Sequence, residues 1–313
     1  MFIYKVWDFA IGSNVRLPEL PEWNGPAEWS FELLESRAFV PNCEWFHEWN
    51  LPDGSVWLYF GRQDSEYILR FPDIADFLVS GGAKRVRCYS CAGVPAESIR
   101  HLFLDQVLPL VLSGPGKLVV HASAVASPHG AMAFLGRAGY GKSTLAASFS
   151  RLGFPMMTDD CLLIDEDKGR LFAVPSYPGL RLWPETVSEL FALPPELSPV
   201  AHYSRKKRVD GGGLRFLGER IPLARAYFLN DPDAPDQPES PRITGISARD
   251  VFMQLVQFAF LMDITDQSAV TAKFRIVSRA AGLPIFRRLS FSRRFSTLPA
   301  VLEAVSADVR PSA

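Results

Sequence analysis

The sequence predicts a mixed α/β protein in two parts, a smaller strand-rich domain over residues 1–112 and a larger domain over residues 113–313. Three observations carry that expectation. From Lys117 onward, apolar runs alternate with a helix-forming stretch in the order strand, turn, helix, strand, as in an α/β core. The residues before it form short alternating runs punctuated by Pro18, Pro21, Pro26, Pro41 and Pro52, with little helical periodicity. The glycine-rich run Gly136–Ser143 stands directly between an apolar strand and a helix.

Composition sets the outer limits. Of the 313 residues 48% are hydrophobic and 21% charged, which excludes bulk disorder and leaves room for two cores. Thirty-three basic and thirty-four acidic side chains give a net charge of -1, so no global field draws the chain onto nucleic acid or an anionic membrane. Lys5, Asp8 and Arg16 interrupt the opening where an export leader needs an apolar run, and no stretch of ~18 apolar residues follows. A soluble, cytoplasmic protein is expected. Four cysteines are too few for a disulfide framework. Cys88 and Cys91 form one CxxC, but neither Cys43 nor Cys161 supplies a second pair at metal spacing, so ordinary thiols are the favoured reading.

In the first domain, Phe2–Trp7 and Ser55–Tyr59 alternate as strands, and Trp23, Trp29, Trp45, Trp49 and Trp57 are expected in its core rather than along a peptide groove. Ala96–Leu112 has helical spacing and ends at Ser113-Gly114-Pro115-Gly116. In the second domain, Leu118–His121, Met132–Leu135 and Met156–Thr158 read as strands, with Lys142–Leu152 as the helix that Gly153 terminates. Leu162–Ile164 and Leu171–Val174 form a hairpin, Asn230–Pro241 a solvated loop, Ser247–Phe260 a helix capped by Ser247, Pro284–Leu289 a strand and Leu298–Val305 a closing helix.

Gly136-Arg137-Ala138-Gly139-Tyr140-Gly141-Lys142-Ser143 satisfies G-x-x-x-x-G-K-[ST]. Glycines at 136, 139 and 141 permit backbone angles closed to other residues, so successive N–H groups converge on a phosphate, and the helix start adds its partial positive charge. Lys142 is placed to neutralise the outer phosphates, and Ser143 to ligate Mg²⁺. The competing reading is a chance glycine turn.

Asp159-Asp160 follows the next apolar run, at a strand's carboxyl edge where α/β sheets bind ligands. Adjacent carboxylates repel unless a cation or proton separates their roles, so one is expected to bind Mg²⁺ while the other takes a hydroxyl proton; a solvated turn is the alternative. His121, at the end of the preceding strand, is either an active-site partner or a satisfied edge residue, and His129 has no such context. Residues 205–225 carry seven cations, beginning Arg205-Lys206-Lys207-Arg208 and followed by Gly211-Gly212-Gly213, which reads as a mobile loop able to close over a phosphate. A second basic stretch, Lys273 to Arg294, lacks the interleaved aromatics of a nucleic-acid platform.

The order His121, Gly136–Ser143, Asp159-Asp160 resembles the C-terminal kinase domain of HPr kinase/phosphorylase. Tyr4, Ile11-Gly12-Ser13, Leu17-Pro18-Glu19-Leu20, Leu118–Ala122 and Pro178-Gly179-Leu180-Arg181-Leu182-Trp183 look like the related kinases of lasso-peptide biosynthetic clusters, which phosphorylate a C-terminal serine of the precursor peptide. The resemblance implies a P-loop kinase core with an accessory N-terminal domain, ATP and Mg²⁺ as cofactors, and nucleotide binding by Gly136 through Thr144. It further implies Ser143 and Asp160 as metal ligands, Asp159 as base toward the acceptor hydroxyl, and Lys142 and His121 as catalytic partners. Thr144 stands where that family usually has an acid, and its Glu-x-Arg-Gly signature is absent, so kinase activity is implied more strongly than the reverse reaction.

The resulting expectation is an ATP-dependent serine kinase acting on a peptide or protein, with no nucleic-acid or membrane partner and self-association left open. A small-molecule kinase on the same loop and a nucleotide-gated regulator that transfers nothing are the alternatives.

Overall fold

The structure is a computed structural model that describes residues 1–34, 43–82, 84–114, 116–191, 197–210 and 214–310. The chain divides into two units: Met1–Gly114 with Val200–Ser204 and Leu261–Val270, and Pro115–Pro199 with Arg205–Phe260 and Thr271–Ala313. The two short later segments of the first unit have no counterpart in a division at residue 112.

In the first unit, β1 (Phe2–Val6), β2 (Phe9–Ser13), β3 (Trp29–Leu34), β4 (Glu44–Asn50), β5 (Val56–Gln63), β6 (Glu66–Phe71), β7 (Ala75–Ser80) and β8 (Arg85–Ser90) form one sheet ordered β1-β2-β3-β8-β7-β6-β5-β4. β3 lies parallel to both β2 and β8. Phe31, Leu58, Phe60, Ile68, Phe77 and Val86 are buried from alternating positions of these strands. The expected helix 96–112 is present as α1 (Ala96–Leu102), a π-helical turn (Phe103–Val107) and α2 (Leu108–Leu112), and Phe103 stacks on Phe31 with centroids 3.8 Å apart. Pro109 has no N–H for the carbonyl of Asp105, which accounts for the widened turn before it.

The tryptophans correct the sequence reading. Trp23 and Trp45 are exposed, and Trp29, Trp49 and Trp57 are half-buried. Trp45, Trp49 and Trp57 pack on the rings of Tyr59, Phe60 and Phe71 instead; Arg70 lies over Trp45, and a cleft of about 470 Å³ is lined by Trp45, Phe46, His47, Glu48, Tyr59 and Arg70. Phe, Leu, Ile and Val fill most of the core, together with Tyr4 and Trp7.

The second unit begins with β9 (Leu118–Ser127), β10 (Gly130–Leu135), α3 (Lys142–Arg151), β11 (Met156–Thr158), β12 (Cys161–Asp167), β13 (Arg170–Val174), β14 (Leu180–Leu182) and α4 (Pro184–Phe191). There follow β15 (Pro199–Ala201), of which Val200 and Ala201 belong to the first unit, β16 (Ser204–Val209), whose Ser204 also does, β17 (Ile221–Leu229), β18 (Arg242–Gly245), α5 (Ala248–Phe258), α6 (Gln267–Ala281), whose residues up to Val270 belong to the first unit, β19 (Phe286–Ser290) and α7 (Leu298–Asp308). The main sheet runs β10-β9-β12-β13-β17-β19-β18, with β11 added on β9. β17 also pairs in parallel with β10, and again in parallel with β19, so three strands end at the same edge.

Period-two alternation divides this sheet's side chains between two cores. Ala131, Ala133 and Leu135 of β10 join Val251 and Leu255 of α5 on one side, while Met132 and Phe134 join Leu145 and Phe149 of α3 and Val301 and Val305 of α7 on the other. Helices therefore cover both faces, the arrangement of a mixed α/β layer fold. Ser247 caps α5, its hydroxyl accepting from the Asp250 N–H at 3.1 Å.

The expected loop at 205–208 is instead β16, antiparallel to β14 with Leu180 opposite Val209 and Leu182 opposite Lys207. Gly211–Gly213 lie outside the described residues. No described helix is long and apolar enough to cross a membrane.

Candidate functional site

The loop from Gly136 to Gly141 leaves β10 at its carboxyl end and enters α3 at Lys142. Gly139 and Gly141 have φ of +85° and +97°, the left-handed region that side chains other than glycine resist. Arg137, Ala138 and Gly139 form the exposed crown, and Tyr140 folds back over Gly136, where an added Cβ would stand 3.1 Å from the ring. Ser143 and Thr144 are half-buried in the first turn of α3.

Lys142 is buried, and its ammonium donates to the carbonyls of Gly136 at 2.7 Å and Arg137 at 3.0 Å. The amine thus lies inside the loop's own ring of acceptors. Burial pulls its pKa down to about 8, against the opposing attraction of Asp160.

Asp159 and Asp160 occupy the step between β11 and β12, both of which pair with β9. Thr158 opposes Ala124 and Cys161 opposes His121, so the acids face Ser123 and Ala122 across the ladder. Asp160 takes a φ of +76°, and its carbonyl accepts from both the Ala122 N–H at 3.2 Å and His121 Nδ1 at 2.8 Å. A carbonyl cannot donate, so the His121 proton sits on Nδ1 and its Nε2 is the acceptor nitrogen. Burial and the nearby Lys142 charge lower the His121 pKa to about 4, leaving a neutral ring at physiological pH.

The two carboxylates live in different environments. Asp159 is 1% exposed; its Oδ1 accepts from Ser123 Oγ at 2.7 Å and its Oδ2 from the Arg181 N–H at 2.8 Å. Burial, reinforced by the charge of Asp160, raises its pKa. Burial opposes ionisation at Asp160 too, yet Lys206, Arg181, His121 and Lys142 outweigh it and hold that carboxyl far below the ordinary range. One member of the pair is thereby disposed toward holding a proton and the other toward staying charged, the division that acid–base chemistry between paired carboxylates uses.

Arg181, on β14, had no role assigned from sequence. Its guanidinium is 1% exposed, donates to the Asp159 carbonyl at 3.1 Å and to the Tyr177 hydroxyl, and lies 3.8 Å from Asp160 Oδ2. Ser123 likewise had no role assigned, and Lys206 was named only as one cation of the run 205–208. Lys206 lies on β16, close enough to be the strongest charge holding Asp160 ionised. The fold thus brings His121, Lys142, Asp159 and Asp160 together and adds Ser123, Arg181 and Lys206. His129 stays in the turn after β9, where its N–H bonds Ser127 Oγ at 3.1 Å.

Three other arginines of the two basic stretches pair away from the acids. Arg220 pairs with Asp165 at 2.5 Å, Arg279 with Glu166 at 2.8 Å and Arg287 with Asp308 at 3.7 Å. Cys88 is buried and Cys91 exposed, and no cluster of metal-ligating side chains occurs among the described residues.

No family model matches the chain, and no curated protein matches it. Among solved structures it is similar to the Hpr(Ser) kinase/phosphatase from Coxiella burnetii, with 14% sequence identity and a TM-score of 0.27, over 52% of this chain and 96% of that one. A likeness that loose assigns neither fold nor activity, and the site is read from its own geometry.

Proposed function

We propose that the protein is an ATP-dependent serine kinase that transfers the γ-phosphoryl group to a serine of a peptide or protein, in the first instance the C-terminus of a lasso-peptide precursor. The observation that carries the reading is the convergence of a buried loop lysine, two adjacent buried carboxyls with unlike partners and a tautomer-fixed histidine. The donor set fits a magnesium-bound triphosphate: N–H groups of residues 136–143 and the Lys142 ammonium for phosphate oxygens, and Ser143 Oγ with the Asp160 carboxylate for the metal. When bound, Mg·ATP supplies the electrophilic phosphorus and the divalent charge beside it.

The chain's own groups do the rest. Lys142 leaves the carbonyls of Gly136 and Arg137 to meet the incoming negative charge, and Asp160 stays ionised against its four cationic and imidazole neighbours. Asp159 would take the proton from the acceptor serine Oγ as that oxygen bonds to the γ-phosphorus and the bond from phosphorus to the bridging β-phosphate oxygen breaks, its electron pair leaving with ADP; Ser123 and Arg181 fix the carboxylate's orientation. Lys206 and Arg181 add positive charge where the reacting groups carry negative charge.

The test is incubation with γ-labelled ATP and a panel of serine-containing peptides, precursor C-termini among them. Label on serine supports the reading, and label appearing only as free phosphate across the panel ends it. Asp159→Asn should abolish transfer while nucleotide binding persists.

A further inference from the structure

We propose, on the reading that Gly136–Ser143 holds a nucleotide's phosphates, that the nucleoside end of that nucleotide lies across the carboxyl ends of β17 and β19, against Tyr140, Asp231 and Arg293. The direction follows from the topology. β10 has two neighbours, antiparallel β9 on one side and parallel β17 on the other. Asp159 and Asp160 stand on the β9 side, because β11 and β12 both pair with β9. A phosphate chain with its reacting end beside those acids points its other end toward β17 and β19. There the carboxyl ends of three parallel strands lie side by side, the edge at which α/β sheets hold their ligands.

The residues at that edge have the chemistry a nucleoside needs. Arg293 is exposed, and its Nη1 donates to the Gly139 carbonyl at 2.5 Å, which sets a guanidinium plane beside the loop crown. Tyr140 presents a ring on the same loop, and burial together with the nearby Asp231 carboxylate raises its phenol's pKa. A flat cation and an aromatic ring are faces for stacking a base, and a carboxylate accepts from ribose hydroxyls or a base amino group.

The edge is also built to hold its shape. Asn230 Oδ1 accepts from the Phe291 N–H at 3.0 Å, tying the segment after β17 to the segment after β19. Asn230 Nδ2 donates to Gln237 Oε1 at 2.7 Å, and Gln237 Nε2 donates to the carbonyls of Asp231 at 2.6 Å and Ala234 at 3.0 Å. Asn230–Pro241, expected from its Pro and Asp content to be a solvated loop, is irregular and without a buried residue, and these bonds brace its first half.

The experiment is calorimetric titration of the full chain and of Arg293→Ala with Mg·ATP and, separately, with magnesium and inorganic tripolyphosphate. Loss of one stacking face should weaken ATP about tenfold and leave tripolyphosphate unchanged; unchanged tripolyphosphate affinity also shows that the variant is folded. Equal weakening of both ligands makes Arg293 a phosphate contact and overturns the inference, as does undiminished ATP affinity. If neither ligand binds the unaltered chain, the phosphate cradle falls and the inference with it. Asp231→Asn, with the same pair of ligands, gives a second variant whose loss must again be confined to ATP.

Discussion

Ser123 lies directly across the β9 ladder from Asp159 and donates its hydroxyl to Oδ1 at 2.7 Å, with both side chains fully enclosed. A carboxylate out of water depends on such donors, and removing one leaves a desolvated acceptor that costs about 1–3 kcal/mol. Ser123→Ala should therefore lower the unfolding free energy by that amount in a urea titration. It should also lower phosphotransfer to serine about tenfold, since a loosened carboxylate no longer meets the acceptor in one geometry.

Arg181 bridges the two acids from β14, and its surroundings make it hard to replace. Removing one partner from a buried ionic cluster costs about 3–5 kcal/mol because the remaining charges lose their compensation. Arg181→Leu should show that loss by denaturant unfolding. Arg181→Lys keeps the charge but not the planar fork that serves the Asp159 carbonyl and the Tyr177 hydroxyl together, so it should recover less than half of the loss.

Gly141 and Gly153 form a matched pair of tests. Both have positive φ, +97° and +90°, and neither is crowded: the nearest atom to a Cβ on Gly141 is Phe291 Cζ at 4.0 Å, and nothing lies within 4 Å at Gly153. Alanine at either position should cost about 1–2 kcal/mol of stability from backbone strain alone. Nucleotide affinity should fall about tenfold only for Gly141→Ala, because only there does relief of strain turn an amide away from the phosphates. Equal affinity losses in the two variants would count against the loop as a cradle.

The parts of this site legible in the sequence were those whose chemistry is local. Gly136–Ser143 carries its own strand and helix, and Asp159-Asp160 follows an apolar run, so both can be placed without knowing any pairing. Ser123, Arg181 and Lys206 depend on register. Ser123 meets Asp159 because β9 and β11 are paired at one offset, and Arg181 reaches the same acid from 22 residues away. Arg205–Arg208 read as a loop because three glycines follow the basic run, but pairing with β14 makes it a strand and brings Lys206 to the acids. The first unit was the least legible, since β3 lies between β2 and β8 and no local periodicity encodes a parallel partner 55 residues away, as Arg85 is from Ser30.

Lys273 offers a measurement independent of the site. Its side chain is buried on α6, with Nζ donating to the Lys117 carbonyl at 2.7 Å, and burial lowers its pKa from the ordinary 10.5 to about 8. Because the folded value is the lower one, the unfolded chain binds more protons between pH 8 and 10.5, and this group's contribution to stability rises with pH across that window. Below pH 8 both states are protonated and the folded state carries the full cost of a charge out of water. Lys273→Met keeps the apolar stem and removes the charge, at the fixed loss of one hydrogen bond. Its stability relative to the unaltered protein should be greatest at pH 7 and decline by up to about 3 kcal/mol by pH 10.5. The raised thiol of Cys88 and phenol of Tyr227 erode stability in the same alkaline range, but equally in both proteins, so the difference between them isolates Lys273. Urea titrations of the two at pH 7, 8, 9 and 10 provide the check, and a gap that stays constant with pH means the amine is not buried as a cation.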